Sequence, residues 1–430
     1  MTDNSLTGGE VGRTRWRRII PVAFLMYTIA YMDRINVGFG FSGMEKSLHI
    51  SASAAGLAGG IFFFGYLFLQ IPGGHIASKF SAKKFVLGAL LVWGLFAILT
   101  GVVQNETELM IVRFLLGVAE GGVWPATLIL LSRWFPAEER ARANMYWMFC
   151  LPVAAIIMAP LSGFIVQHLS WRYLFIFEGL PPFIWALVWW LLIADSPDTA
   201  RFISPEEKAY LHQKFEEDRL RSRTVSQDWR VAFSNPRVWL LVVIYFLVQV
   251  GFYGFALWLP TVIKGLTKSG FTVTGFITAL PYVAALILMW INANHSDKTN
   301  ERKKHTAFPL IFGGLALLGS LLTTHVILLS LVFLILTEGF MLPYVGVFWT
   351  LPPLFVTEAG LGPTMGLING IGNLGGFFGP FIVGALITAT NSTVAGMVAL
   401  TIVLIVAGLL ILSLRVRNLT VDTEAAEVQV

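Results

Sequence analysis

The chain has 430 residues, of which 56% are hydrophobic and 13% charged, with mean hydropathy +0.72; a soluble protein of this size carries roughly 25% charged residues. Its formal net charge of +5 does not indicate a nucleic-acid partner, because the basic residues fall in short loops between apolar runs rather than on one face of a soluble domain. A single cysteine, Cys150, excludes an intrachain disulfide and argues against a cysteine zinc site; the seven histidines are scattered, so no metal, cofactor or enzymatic constellation is expected.

The opening MTDNSLTGGEVGRTRWRR is polar and then basic, and the apolar run behind it is too long for a cleaved signal, so it reads as a retained first span. About 20 helical residues cross a bilayer core. Segments of that kind recur near 17–43, 52–77, 85–104, 107–132, 142–167, 172–194, 238–263, 272–294, 306–324, 326–356, 363–389 and 393–414. The expected fold is therefore all-α and integral to the membrane, with twelve transmembrane helices. Gaps are short except 195–237, a polar linker. Inside it Ser204-Pro205-Glu206-Glu207 has the form of a helix start, and Tyr210, Leu211 and Phe215 could dock a short surface helix; the plainer reading is a solvated linker helix without chemistry. With the N-terminus inside, 24 Lys and Arg fall in cytoplasmic segments against four on the other side, which favours both termini facing the cytoplasm. Two more, Arg34 and Arg113, fall within spans.

The chain repeats itself. SKFSAKK after the second span and DKTNERK after the eighth lie 219 positions apart, and EGGVWP in the fourth span and EGFMLP in the tenth lie 218 apart. Two landmarks at nearly one offset imply two pseudo-symmetric six-helix halves, with an N-terminal bundle over 1–194, a cytoplasmic linker over 195–237, and a C-terminal bundle with a cytoplasmic tail over 238–430.

The apolar run YTIAYMDRINVGFGFSG, residues 27–43, carries Asp33 and Arg34 side by side. A charge at the centre of a spanning helix costs on the order of 3 kcal/mol, so each needs a partner or water. Adjacent helical residues point about 100° apart, so these two face different neighbours. In the fourth span Arg113 and Glu120 are seven residues apart and share a face, with Gly117 leaving room between them and Trp124 one turn on. Tyr27, Tyr31 and Arg34 share a face of the first span, as do Phe62, Tyr66 and Gln70 in the second. Glu338 in the tenth span aligns with Leu342, Val345 and Trp349; Asn369 and Asn373 form an i, i+4 pair in the eleventh, cushioned by Gly366, Gly370 and Gly376. A structural ion pair pinning spans one and four would account for part of this pattern, and Glu178, beside Arg172 in sequence, reads as structural; so many ionisable groups at mid-membrane point to a working site.

These stretches resemble the major facilitator superfamily, whose basic-loop pattern begins here at Gly74, with Ser78 and Ser81 where the family carries an acid and a glycine. YMDRINVGF (31–39), RFLLGVAEGGVWP (113–125), WRYLFIFEGLPP (171–182) and INGIGNLGGFFGP (368–380) resemble its anion:cation symporter branch. The resemblance implies proton coupling through Asp33 and Glu120, anion recognition or salt-bridge switching through Arg34 and Arg113, and substrate contacts at Tyr31, Tyr66, Trp349 and Asn369. Glu338 joins the proton-coupling set, and Asn373 the substrate-binding set, from the residue count and spacing alone. The expected activity is uptake of a small organic anion, a sugar acid or hydroxycarboxylate, coupled to protons. Aromatic carboxylates and anion exchange remain alternatives on the same fold, while efflux of a lipophilic cation is disfavoured by the arginines. The expected partners are the anion, protons and membrane lipids, for a monomer in the cell inner membrane.

Overall fold

A computed structural model describes residues 13–222, 229–299, 301–356 and 358–414. The predicted cytoplasmic tail, with Arg415 and Arg417, and linker positions 223–228 lie outside the described residues. The chain folds as a bundle of membrane-length helices. Eleven helical segments are long and apolar enough to cross a bilayer: Ala52–Lys79, Ala82–Val102, Glu106–Trp134, Ala137–His168, Trp171–Leu192, Pro236–Thr267, Phe271–Thr299, Lys303–Leu322, Ile327–Phe348, Gly360–Thr390 and Thr393–Ser413. The first segment precedes them as Thr14–Ile35 and Val37–Leu48, joined at Asn36. It has the length but not the uniform apolarity, because Asp33, Arg34 and Asn36 sit in it, all buried.

Packing follows the sequence repeat. Within the first six spans, helices 2 and 4, 3 and 6, and 1 and 5 pack together; within the last six the same pairs return as 8 and 10, 9 and 12, and 7 and 11. Between the sets the contacts are 2 with 11, 5 with 8, and 1 with 7, which a two-fold exchange of helix n with helix n+6 maps onto themselves. The fold is thus two pseudo-symmetric six-helix halves.

The halves meet at the end opposite the 195–237 linker. There Gly56 and Gly60 lie against the carbonyls of Pro380 and Phe377, and Gly163 and Gly275 against those of Phe271 and Ala159. The Ser53 amide donates to Thr388 Oγ1 at 2.9 Å, and the Thr272 amide to Gln167 Oε1 at 2.8 Å. At the linker end a side chain at Gly346, Gly366 or Gly370 would meet nothing within 4 Å. The bundle is therefore sealed at the end opposite the linker, and Gly366 and Gly370 face open space instead of cushioning a neighbour.

Three further differences from expectation have identifiable causes. The tenth span ends at Phe348, not near 356: Pro343 has no N–H to donate, the helix unwinds after Met341, and Pro352 and Pro353 open a 3₁₀ turn. The linker helix forms over Pro205–Ser222, with Ser204 Oγ accepting from the Glu207 amide at 3.2 Å, and Tyr210, Leu211 and Phe215 pack with Ile203. It is not merely solvated: fully buried Glu207 and the carboxylate of Glu139 both accept from the Arg15 guanidinium at 2.8 Å, which ties the linker to the start of the first span. Finally, the acid missing from the first basic loop is supplied from elsewhere. Asp195, after the sixth span, accepts from Ser81 Oγ at 2.5 Å and from the Lys83 amide at 2.9 Å, while Arg133 donates to the Ser78 carbonyl at 2.6 Å. The second loop keeps its own acid, Asp297, paired with Arg302.

Candidate functional site

Helices 2 and 4 approach backbone to backbone because glycine lines their seam. A Cβ at Gly117 would strike the carbonyl oxygen of Phe62, one at Gly121 that of Tyr66, and one at Gly65 that of Phe114. This close seam brings Arg113 and Glu120 of the fourth span against Phe62 and Tyr66 of the second, on the face the seven-residue spacing predicts. Arg113 Nε donates to the Ala58 carbonyl at 3.2 Å, and its guanidinium lies 5.3 Å from the Phe62 ring centre.

From the first span Arg34 enters the same pocket. Its Nε donates to Glu120 Oε2 at 3.0 Å, and both side chains are almost wholly buried. The Arg34 guanidinium sits 4.6 Å from the Tyr66 ring centre, 5.4 Å from that of Tyr27 and 5.6 Å from that of Phe62. Three rings thus present π faces to a cation withdrawn from water, a placement that strengthens as the medium dries. Tyr31, on the same helical face, lies near Tyr253, Tyr282, Glu338 and Arg34.

Asp33 points elsewhere, as the 100° step requires. Its Oδ2 accepts from Trp93 Nε1 of the third span at 2.7 Å. Arg113 and Arg34 are within electrostatic reach of Asp33, but its direct partner is an indole. Glu178 does not pair with its sequence neighbour Arg172. Arg172 is spent on the carbonyls of Gly101 and Val103, whereas Glu178 is buried near Asp33 and Arg113. Adjacency in sequence to Arg172 misleads because the intervening helix turns carry the two side chains apart.

The C-terminal half supplies a second wall. Asn369 Oδ1 accepts from Asn373 Nδ2 at 3.3 Å, Asn373 Oδ1 from Gln249 Nε2 at 3.0 Å, and Gln249 Oε1 from the Tyr344 hydroxyl at 3.2 Å. Trp349 lies past the helix end, half-buried, with its ring 5.2 Å from Tyr245 and 5.4 Å from Phe348. It is not on one helical stripe with Glu338, because the break after Met341 intervenes. Glu338 is fully buried near Tyr31, Tyr282 and Tyr344, and neither carboxylate oxygen has a hydrogen-bond partner among the described residues. Tyr253, near both Arg34 and Tyr31, spans the gap between the walls.

Sequence reading did not find Trp93, Tyr253, Gln249 or Tyr344 as site residues. Gln249 carried a detectable signal, a lone amide in a long apolar run. The others are aromatic residues among many, without a distinguishing pattern.

Among the described residues, Arg34 Nη2, both terminal nitrogens of Arg113, Asp33 Oδ1, Glu120 Oε1 and both Glu178 oxygens are buried without a partner. A buried ionic group left so under-bonded is costly. The arrangement thus leaves three guanidinium nitrogens able to donate and several carboxylate oxygens able to accept. A model of the Major Facilitator Superfamily matches residues 23–380.

The chain belongs to that superfamily. As a major facilitator it is a multi-pass membrane transporter, not an enzyme. It is 33% identical over 404 residues to the "Quinolone resistance transporter" of Acinetobacter baumannii, covering 92% of this chain and 93% of that one. It is 32% identical over 404 residues to a "Putative tartrate transporter" of Agrobacterium vitis, covering 92% and 88%. Its fold is similar to that of a bacterial homologue of the human lysosomal transporter Spinster, solved inward-facing and occupied, with a TM-score of 0.75, 14% identity, and 93% and 97% coverage.

Proposed function

We propose that this major facilitator imports a small organic anion together with protons across the cell inner membrane, with both termini cytoplasmic. The observation that carries the reading is the buried Arg34–Glu120 pair beside the unpartnered guanidinium nitrogens of Arg113. Arginine stays charged in a protein, so only the carboxylates can change the site's sign. When Glu120 takes up a proton its claim on Arg34 weakens. Arg34 and Arg113 then present a forked cationic surface to a carboxylate, with Tyr31, Tyr66 and the rings around Arg34 as walls. When the proton leaves toward the cytoplasm, Glu120 reclaims Arg34 and the anion is expelled. Asp33, held by Trp93, and Glu338, facing Tyr31 from the other half, are the further proton-bearing groups. Trp349, Asn369 and Asn373 complete the substrate wall.

With the linker on the cytoplasmic side, the sealed end faces outward. Rocking at the 2–11 and 5–8 seams would expose the site to the other side, in the manner of duplicated transporters. The relative named for tartrate supports a hydroxycarboxylate. A second reading has its own support: Tyr27, Phe62 and Tyr66 around Arg34 form an aromatic lining that suits an aromatic carboxylate.

Proteoliposomes test the coupling. An inward proton gradient is expected to drive accumulation of labelled tartrate, and Glu120→Gln to abolish that drive while sparing tartrate exchange. Accumulation that ignores the gradient but requires internal anion would replace symport with exchange.

A further inference from the structure

Beyond the charge cluster, toward the sealed end, helices 1, 5, 7 and 8 enclose a small cavity between the two halves. Its lining includes Asn36, Ser162, Thr278 and Tyr282, with Phe39 and Met158 among the apolar neighbours. The space admitting a water-sized group is about 10 Å³, which is room for roughly one such group. Two of its polar residues are orphaned. Asn36 is 1% exposed, and neither its amide nitrogen nor its oxygen has a partner; Ser162 is fully buried, and its hydroxyl has none. Thr278 is satisfied by the Thr274 carbonyl at 2.7 Å. An unpaired amide in a dry interior forfeits hydrogen bonds it would make in water. Two such groups, from different helices of one half and lining one cavity against the other half, mark a place shaped for a polar group.

The cavity adjoins the charged site. Tyr282 lines it and lies near Glu338 and Tyr253, and Tyr253 lies beside Arg34. We propose that Asn36 and Ser162 form a hydroxyl subsite, receiving a hydroxyl of the transported anion while its carboxylate is held at the arginines. Asn36 supplies a donor nitrogen and an acceptor oxygen, Ser162 either role, so the pair matches a group that both donates and accepts. A carboxylate would leave two acceptors facing the asparagine oxygen, and a methyl or methylene would leave all three polar atoms unpaired. The inference rests on the organic-anion reading and narrows it: the cargo class is hydroxycarboxylates, not acids with an apolar tail. Discrimination of this kind can be steep, because rejection comes from polar groups stranded in the site.

The test is a binding comparison on the purified full-length protein with two matched pairs: tartrate against succinate, and gluconate against hexanoate. The wild type is expected to bind the hydroxylated member of at least one pair ten-fold or more tighter. Ser162→Ala and Asn36→Leu, the latter of similar volume, are each expected to bring that ratio below three-fold by weakening the hydroxylated acid and leaving its partner unchanged. Ser162→Ala is the milder change and keeps the test available if Asn36→Leu fails to fold. A wild type that binds both members equally, or a ratio unchanged in Ser162→Ala, overturns the subsite and leaves a space for structural water only. If the wild type binds none of the four acids, the organic-anion reading itself fails; binding without hydroxyl preference leaves that reading intact and removes this one alone.

Discussion

Arg34→Ala is expected to weaken tartrate binding at least a hundred-fold and to lower the thermal stability of the ligand-free protein. Both effects come from one side chain. Arg34 offers the fork that a carboxylate can engage through two N–H groups, and a charge-assisted pair of that kind exceeds a neutral hydrogen bond about two-fold. A hundred-fold loss corresponds to about 2.7 kcal/mol. It also neutralises Glu120, which is fully buried. Removing one partner of a buried pair costs about 3–5 kcal/mol, since the other charge stays behind in a low dielectric. The double variant Arg34→Gln/Glu120→Gln separates the two roles: stability should return toward the wild type while binding remains lost. Arg34→Lys keeps the charge but not the fork or the flat stacking surface against Tyr27 and Tyr66, so it should recover stability better than affinity. Titration calorimetry and a melting curve read both quantities; tartrate affinity within three-fold of wild type in Arg34→Ala would count against the assignment.

Gly117→Val is the second large effect. At this position a side chain would run into the Phe62 carbonyl oxygen, a backbone atom that no rotamer change can move aside. Overpacking of a core usually costs about 1–3 kcal/mol where side chains can yield. Here the whole of helix 2 would have to withdraw from helix 4. Such a shift would carry Phe62 and Tyr66 away from Arg34 and Arg113, so transport should be lost together with a large fall in melting temperature or in the yield of folded protein. Gly88→Val provides the control: nothing lies within 4 Å of a Cβ at Gly88, and the variant should fold and transport normally. A folded, fully active Gly117→Val protein would show that the glycine seam does not set the geometry of the site.

The sequence made the architecture readable because a bilayer imposes length and apolarity on every span, and because the internal repeat left two landmarks at nearly one offset. The i, i+7 relation of Arg113 and Glu120 and the i, i+4 relation of Asn369 and Asn373 were legible for a similar reason, since both depend only on helix periodicity. What was not legible depends on rotation and depth of one helix against another. Trp93 meets Asp33 because helices 1 and 3 present those faces to each other, and nothing in the apolar run of the third span distinguishes that tryptophan from a packing residue. Glu178 stands beside Arg172 in sequence but near Asp33 and Arg113 in space, a difference that nearness along the chain does not reveal. Trp349 was placed on a continuous helix, although Pro343 six residues earlier is a strong signal for a break. The orphaned amide of Asn36 was hidden within the same motif as Asp33 and Arg34, whose charges dominate it.

The proposed coupling requires that proton uptake by Glu120 and anion binding at Arg34 and Arg113 are one event. Titrating the purified protein with tartrate near neutral pH, in buffers of differing ionisation enthalpy, counts the protons exchanged per anion bound; thermodynamic linkage requires that number to match the change in site protonation. The prediction is net uptake, up to about one proton per tartrate, in the wild type, and a clear reduction in Glu120→Gln with binding retained. Binding with no proton uptake in the wild type, or with the same uptake in Glu120→Gln, would contradict it.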